Sequence, residues 1–214
     1  MEKLEEDSLP LNVDEKGEKL NPWLTIWYAP RATMRSAINY RNSKLLIFLA
    51  IMAGITEFFD RAISDNLGVH MNFWVVLLMI IVVGGIIGII SWFIWSAINY
   101  YVGKLLKGKG TYDEMRVAMA ISFIPFAISV IFCFLDVLFL REKLFTNAVL
   151  SPFQIGWLLL SAFFVFILAV WSFFLMIKAV AEAHQFSSWK GLLTLIIPAA
   201  VIFVLVLGIV LVAL

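Results

Sequence analysis

Apolar residues run in long blocks from about residue 44 to the end of the chain, and polar residues gather in short intervals between them. Blocks of roughly 18 or more apolar residues are the pattern of membrane-crossing helices. Five are predicted, over 44–59, 73–100, 117–140, 154–181 and 192–214. The first is short and contains Glu57. A four-span reading would drop it, but would then move the loop around Lys104 to the opposite side of the membrane. The second is long enough to tilt or to project beyond the bilayer. The third contains Pro125. Before the first block, residues 1–20 are polar and without period, which predicts a disordered cytoplasmic tail.

Residues 21–43 predict two short amphipathic helices. Asn21-Pro22-Trp23 reads as a capped start with proline in the first turn. Trp23 and Trp27 then share a face, Pro30 breaks the segment, and Arg31 and Arg35 share a face of the next helix. Tryptophans and arginines on such a segment suit the headgroup level of a bilayer, as interfacial anchors. The alternative is an ordinary helix packed under the bundle.

Composition agrees with these blocks. With 63% hydrophobic and 14% charged residues, the chain lacks the polar surface that a soluble domain of this size needs. The expected fold class is therefore all-α: an integral membrane bundle of about five helices with an N-terminal interfacial segment. The acidic start, with Glu2, Glu5, Glu6 and Asp7, does not read as a signal peptide. The net charge of +1 gives no reason to expect nucleic-acid binding. Charge position says more. Ten lysines and arginines flank the spans on the side of Arg31, Lys104 and Lys190, against three (Arg61, Arg141 and Lys143) on the other. The positive-inside rule then puts the N-terminus in the cytoplasm and the C-terminus outside.

Candidate chemistry is sparse. The single cysteine, Cys133, lies inside an apolar block and can form neither an intrachain disulfide nor a zinc site. Gly103-Lys104-Leu105-Leu106-Lys107-Gly108-Lys109 matches most of a phosphate-binding loop, but Gly110 stands where that loop needs Ser or Thr. Its flanks are also two membrane helices, so it is expected to be a flexible basic turn facing anionic lipid. Thr111 and Glu114 form a capping box that starts the third helix. Gly84 and Gly88 have the spacing of a close helix contact, within the bundle or between protomers.

Glu57 and Arg61, four apart, are a candidate polar pair in or near the membrane, and pairing with each other is the simplest account. Asp136 and Arg141 are expected to face water. Glu182 and His184 are too close in sequence to share a helix face and make a poor metal pair. No cofactor, metal or catalytic constellation emerges.

The ordered motifs resemble the Yip (Ypt-interacting protein) domain family, in a prokaryotic form, over roughly residues 21–214. They are Asn21-Pro22-Trp23, Pro30-Arg31-Ala32-Thr33 with Arg35, Asp60-Arg61, Gly84-Gly85 and Gly108-Lys109-Gly110-Thr111-Tyr112-Asp113-Glu114. Pro125, Trp171 and the run Glu182-Ala183-His184-Gln185-Phe186-Ser187-Ser188-Trp189 complete the set. The resemblance implies five spans and a cytoplasmic N-terminus. Eukaryotic members are linked to Rab-type GTPases, which a bacterial relative would not meet. Some bacterial relatives stand beside export transporters as accessory subunits, and the family carries no catalytic residues to transfer.

The expected function is thus a non-enzymatic scaffold, assembly factor or accessory subunit in a prokaryotic plasma membrane. Its partners would be the bilayer and another membrane protein, with self-association as a further expectation. Docking residues are expected at Lys107, Lys109, Tyr112, Glu114, Arg116, Glu182, His184 and Trp189. The alternative is a small oligomeric lipid or solute transporter, motivated by Glu57, Arg61 and the break at Pro125. The nearly unbroken apolar character of residues 73–88 and 192–214 leans against a wide hydrophilic pore.

Overall fold

Five helix starts in this chain are closed by side chains. The Asn21 carboxamide oxygen accepts from the Trp23 amide (3.1 Å), that of Asn42 from Leu45 (3.3 Å), and that of Asn72 from Trp74 (2.9 Å). Thr111 with Glu114, and Ser151 with Gln154, form reciprocal capping boxes. Each cap satisfies amides that have no partner in the first turn. These starts help set the elements of the computed structural model, which describes residues 19–213. They are α1 (Pro22–Thr25), α2 (Pro30–Asn39), α3 (Ser43–Ser64), α4 (Phe73–Leu105), α5 (Tyr112–Ile121), α6 (Ile124–Leu140), α7 (Pro152–Ala183) and α8 (Ser188–Ala213). Short 3-10 turns cover Leu67–Val69 and Arg141–Phe145. The expected tail over residues 1–20 lies, up to residue 18, outside the described residues.

Four helical stretches are long and apolar enough to cross a membrane: Phe73–Leu105, Tyr112–Phe145, Pro152–Ala183 and Ser188–Val210. The chain is an all-helical membrane bundle. The predicted first span is part of α3, which continues past Glu57 to Ser64 and takes Asp60 and Arg61 into the helix. Those charges keep it out of the apolar set, although 22 residues make a helix about 33 Å long, against a hydrocarbon core of about 30 Å.

The third apolar block is two helices in tandem. Pro125 lies in the first turn of α6. It has no amide to offer the Ile121 carbonyl, so the chain turns at Ser122–Phe123. The exposed polar groups are taken up locally. Ser122 Oγ donates to the Met119 carbonyl (2.6 Å), and Ser172 Oγ from α7 donates to the Ser122 carbonyl (2.7 Å). Such repair is needed where lipid supplies no hydrogen bonds.

Helix α3 is the centre of one half of the bundle, packing on α4, α5 and α6; α7 packs on α2, α5, α6 and α8. Gly84 and Gly88 do mark a close contact, and it lies within the chain. Their partner is Gly54 of α3, where an added Cβ would overlap the Gly84 carbonyl oxygen and the Gly88 backbone. Two apolar clusters fill the interior. One, around Met34, Leu49, Trp92, Met115 and Leu175, lies towards the end carrying α1 and α2. The other, around Phe59, Val76, Cys133, Leu140 and Phe145, lies towards the opposite end. Outward positions such as Trp74, Phe134, Phe166 and Phe203 are exposed, as lipid-facing residues are.

The glycine contact is testable. Gly54→Ala adds a methyl where two backbones touch, and overpacking of this kind costs about 1–3 kcal/mol, more than the roughly 1 kcal/mol alanine gains in helix propensity. The thermal midpoint in detergent should fall for Gly54→Ala. It should hold or rise for Gly156→Ala, whose Cβ meets nothing within 4 Å.

Candidate functional site

Three segments far apart in sequence meet at one end of the bundle: α1–α2, the α4–α5 turn and the α7–α8 turn. Most of the motif residues singled out in the sequence lie here. Arg35 of α2 donates from Nε to Glu182 Oε1 (2.7 Å) and from Nη2 to the Glu182 carbonyl (3.2 Å). Arg31 donates to the Phe186 carbonyl (3.2 Å) and to Ser188 Oγ (3.3 Å). Trp27 stacks on Trp171, with ring centroids 6.2 Å apart. Both guanidinium groups therefore hold the α7–α8 turn of the same chain, and α2, with Thr33, Met34 and Ser36 buried, is packed under the bundle. Trp23 remains at the rim against Phe48.

The turn between α4 and α5 is not the loose basic loop that its composition suggested. The Lys109 amide donates to the His184 carbonyl (3.1 Å). Gly103 and Gly108 close on the imidazole of His184, and Gly110 on the Ala183 carbonyl, so that a Cβ at any of them would collide. Gly103 and Gly108 are there to admit a ring, and Gly110 to admit the backbone beside it. Flexibility is not what they supply. The ring lies between Tyr100 (6.2 Å) and Phe186 (5.3 Å), close to parallel with both. His184 is buried, which removes it from the expected docking surface. The sequence carried a signal for this cradle, three glycines at Gly103, Gly108 and Gly110 together with one histidine, but nothing in it paired them.

Burial holds the His184 pKa below its ordinary value. Lys104 adds to this, while the Asn99 carbonyl and Glu114 oppose it and lose to desolvation. Neither ring nitrogen makes a well-aligned hydrogen bond, and the neutral ring suits its stacked, apolar site.

Tyr112, Glu114 and Arg116 are also used internally. Arg116 pairs with Asp113 (2.9 Å) and lies over Phe93 (5.0 Å), Tyr112 (5.5 Å) and Trp92 (5.7 Å). Trp92 Nε1 donates to the Arg116 carbonyl (2.9 Å), and the Tyr112 hydroxyl to the Phe93 carbonyl (3.1 Å). Asp113 reaches across to Arg41 at 3.6 Å. Of the residues expected to dock a partner, Lys107, Lys109 and Trp189 stay exposed, beside Lys104 and Lys190 on the same end.

At the other end, Glu57 and Arg61 pair as their spacing predicts, at 2.9 Å, with both side chains at least half exposed. Asp136 departs from expectation. It is buried, not water-facing, because two donors four apart on α7 point at it: Trp157 Nε1 (2.8 Å) and Ser161 Oγ (2.9 Å). Hydrogen bonds to a charged group are worth about 1.5–3 kcal/mol each, which offsets the burial and ties α6 to α7. The Trp157–Ser161 spacing was the signal available in the sequence. No group of three or more His, Cys, Asp or Glu among the described residues is placed to hold a metal.

A helical bundle with lipid-facing flanks and its polar residues gathered towards its two ends defines a multi-pass integral membrane protein. The Yip1 domain model matches residues 24–210, so the chain belongs to the Yip1 domain family. Comparison with curated proteins and with solved structures returns no match.

The His184 cradle predicts an acid-sensitive fold. Well above the ordinary value of 6.5 the folded and unfolded chains are both neutral at this residue. As pH falls below it, the unfolded chain takes up a proton that the folded chain resists, and stability is lost. The detergent thermal midpoint should therefore drop between pH 7.5 and 5.5, and the drop should shrink in His184→Phe.

Proposed function

We propose that this protein is a non-enzymatic scaffold or accessory subunit for a membrane partner, such as an export transporter, contacted through the end formed by the α4–α5 and α7–α8 turns. The observation that carries this reading is the division of labour on that face. Arg31, Arg35, Asp113, Arg116 and Glu182 spend their charge on one another or on the backbone. Lys104, Lys107, Lys109, Lys190 and Trp189 are left exposed beside these internal contacts. A face with several cations and an indole suits an acidic, amphipathic segment of another protein, since charge complementarity sets encounter and aromatic burial supplies hold. Self-association through the same bundle is compatible with this role.

The topology that fits is five spans in a prokaryotic plasma membrane, with the N-terminus cytoplasmic and the C-terminus outside. Support comes from the ten-to-three distribution of lysine and arginine and from the length of α3. Its charges sit at its two ends, Lys44 in the first turn and Glu57, Asp60 and Arg61 in the last two, where they reach the interface and where Glu57 and Arg61 offset each other.

Two measurements test these readings. A photo-reactive residue at Lys107 or Trp189 should give discrete adducts in native membranes, and one at Val149, on the opposite end, should not. Equal labelling at all three positions would remove the proposed face. In a Cys133→Ala background, Lys107→Cys should react with an impermeant thiol reagent only from the cytoplasmic side, and Val149→Cys only from the outside. Reaction from the same side, or with the two sides exchanged, would rule out this arrangement.

A further inference from the structure

Helices α4 and α6 both pack on α3 but meet little with each other. The gap between them is a cleft of about 500 Å³. Ile55 and Phe59 of α3 form its floor, and Leu77 and Ile81 of α4 face Val130 and Leu138 of α6 across it. The cleft opens sideways on the flank of the bundle, where Trp74, Ile81, Phe134 and Leu138 are exposed. At that depth the surroundings are hydrocarbon.

One charged side chain lines the cleft: Arg141, at its end. A second chamber, of about 410 Å³, begins at the same place, shares Phe73, Trp74 and Arg141, and is lined by Asn72, Glu142 and Thr146. An apolar chamber and a polar one therefore meet at a guanidinium. Arg141 takes this position because α6 ends there, with its backbone at φ 52°. Among the described residues it has no ion pair within 4 Å.

We propose that this pair of chambers is a binding site for one glycerophospholipid. An acyl chain lies in the cleft, and the phosphodiester is held by Arg141. Headgroup hydroxyl or ammonium donors meet Glu142 in the polar chamber. The volume suits a ligand site, since such pockets run from about 300 to 1,000 Å³. A guanidinium matches the two free oxygens of a phosphodiester in a fork geometry. A basic side chain between membrane helices near the headgroup level is the kind of group that holds a lipid phosphate. Glu142 disfavours a bare anion, so the site fits a lipid better than free phosphate. This inference is independent of the scaffold reading.

The test uses the full chain in mild detergent, by native mass spectrometry with added phosphatidylethanolamine, diacylglycerol or inorganic phosphate as probes. Wild-type protein should retain one phosphatidylethanolamine, and diacylglycerol, which lacks the phosphate, should bind roughly tenfold more weakly, as expected for loss of a charge-assisted contact. Arg141→Gln should erase that preference, Arg141→Lys should restore part of it, and Val130→Trp, filling the cleft, should lose both lipids. Elution volume and thermal midpoint of each variant must match wild type, so that Arg141→Lys carries the test if Val130→Trp does not fold. Retention unchanged in Arg141→Gln, or displacement of the lipid by millimolar phosphate alone, would overturn the proposal.

Discussion

The contact of α3 with α4 at Gly54 is the constraint from which the bundle's shape follows. In lipid no water is released when two apolar helices come together, so helices associate where their surfaces can approach closely. Gly54 lies against Gly84 and Gly88 with no room for a side chain. That contact fixes α3 deep in the structure, with α4 on one flank and α6 on another. It also leaves the space between α4 and α6 open over the floor formed by Ile55 and Phe59. The close approach at one level and the cleft at another are consequences of the same crossing.

At the end that carries α1 and α2, the organising principle is different. Here the chain has more charge than a membrane boundary needs, and most of it is consumed internally. Arg35 and Glu182 join α2 to α7, Arg41, Asp113 and Arg116 join α2's exit to α5, and the His184 carbonyl joins the α7–α8 turn to Lys109. Exposed ion pairs of this kind are individually worth little. Their weight here comes from the backbone carbonyls, the buried imidazole and the aromatic faces around them. The result is a firm platform built from turns that, by composition, would be loose.

Much of the fold was legible. The apolar blocks located α4, α7 and α8, the capping box located the start of α5, and the Glu57–Arg61 spacing gave its own pair. The boundary of α3 was less so, because Asp60 and Arg61 look like the end of a span yet continue the helix. At the candidate site, the sequence singled out Arg31, Arg35, Tyr112, Glu114, Arg116, Glu182 and His184, which the fold brings to one end of the bundle. Their partners were not legible, since each partner lies on another element.

The sequence by itself determined the membrane class, the helices and the set of unusual residues, because hydrophobic run length, capping and i, i+4 spacing act locally. Tertiary structure alone decided what those residues do. It turned Gly103, Gly108 and Gly110 from a flexible loop into the walls around His184, and Asp136 from a surface acid into a buried acceptor for Trp157 and Ser161. The physical reason is that burial and hydrogen-bond satisfaction depend on which helix lies opposite, and a one-dimensional pattern does not encode that neighbour.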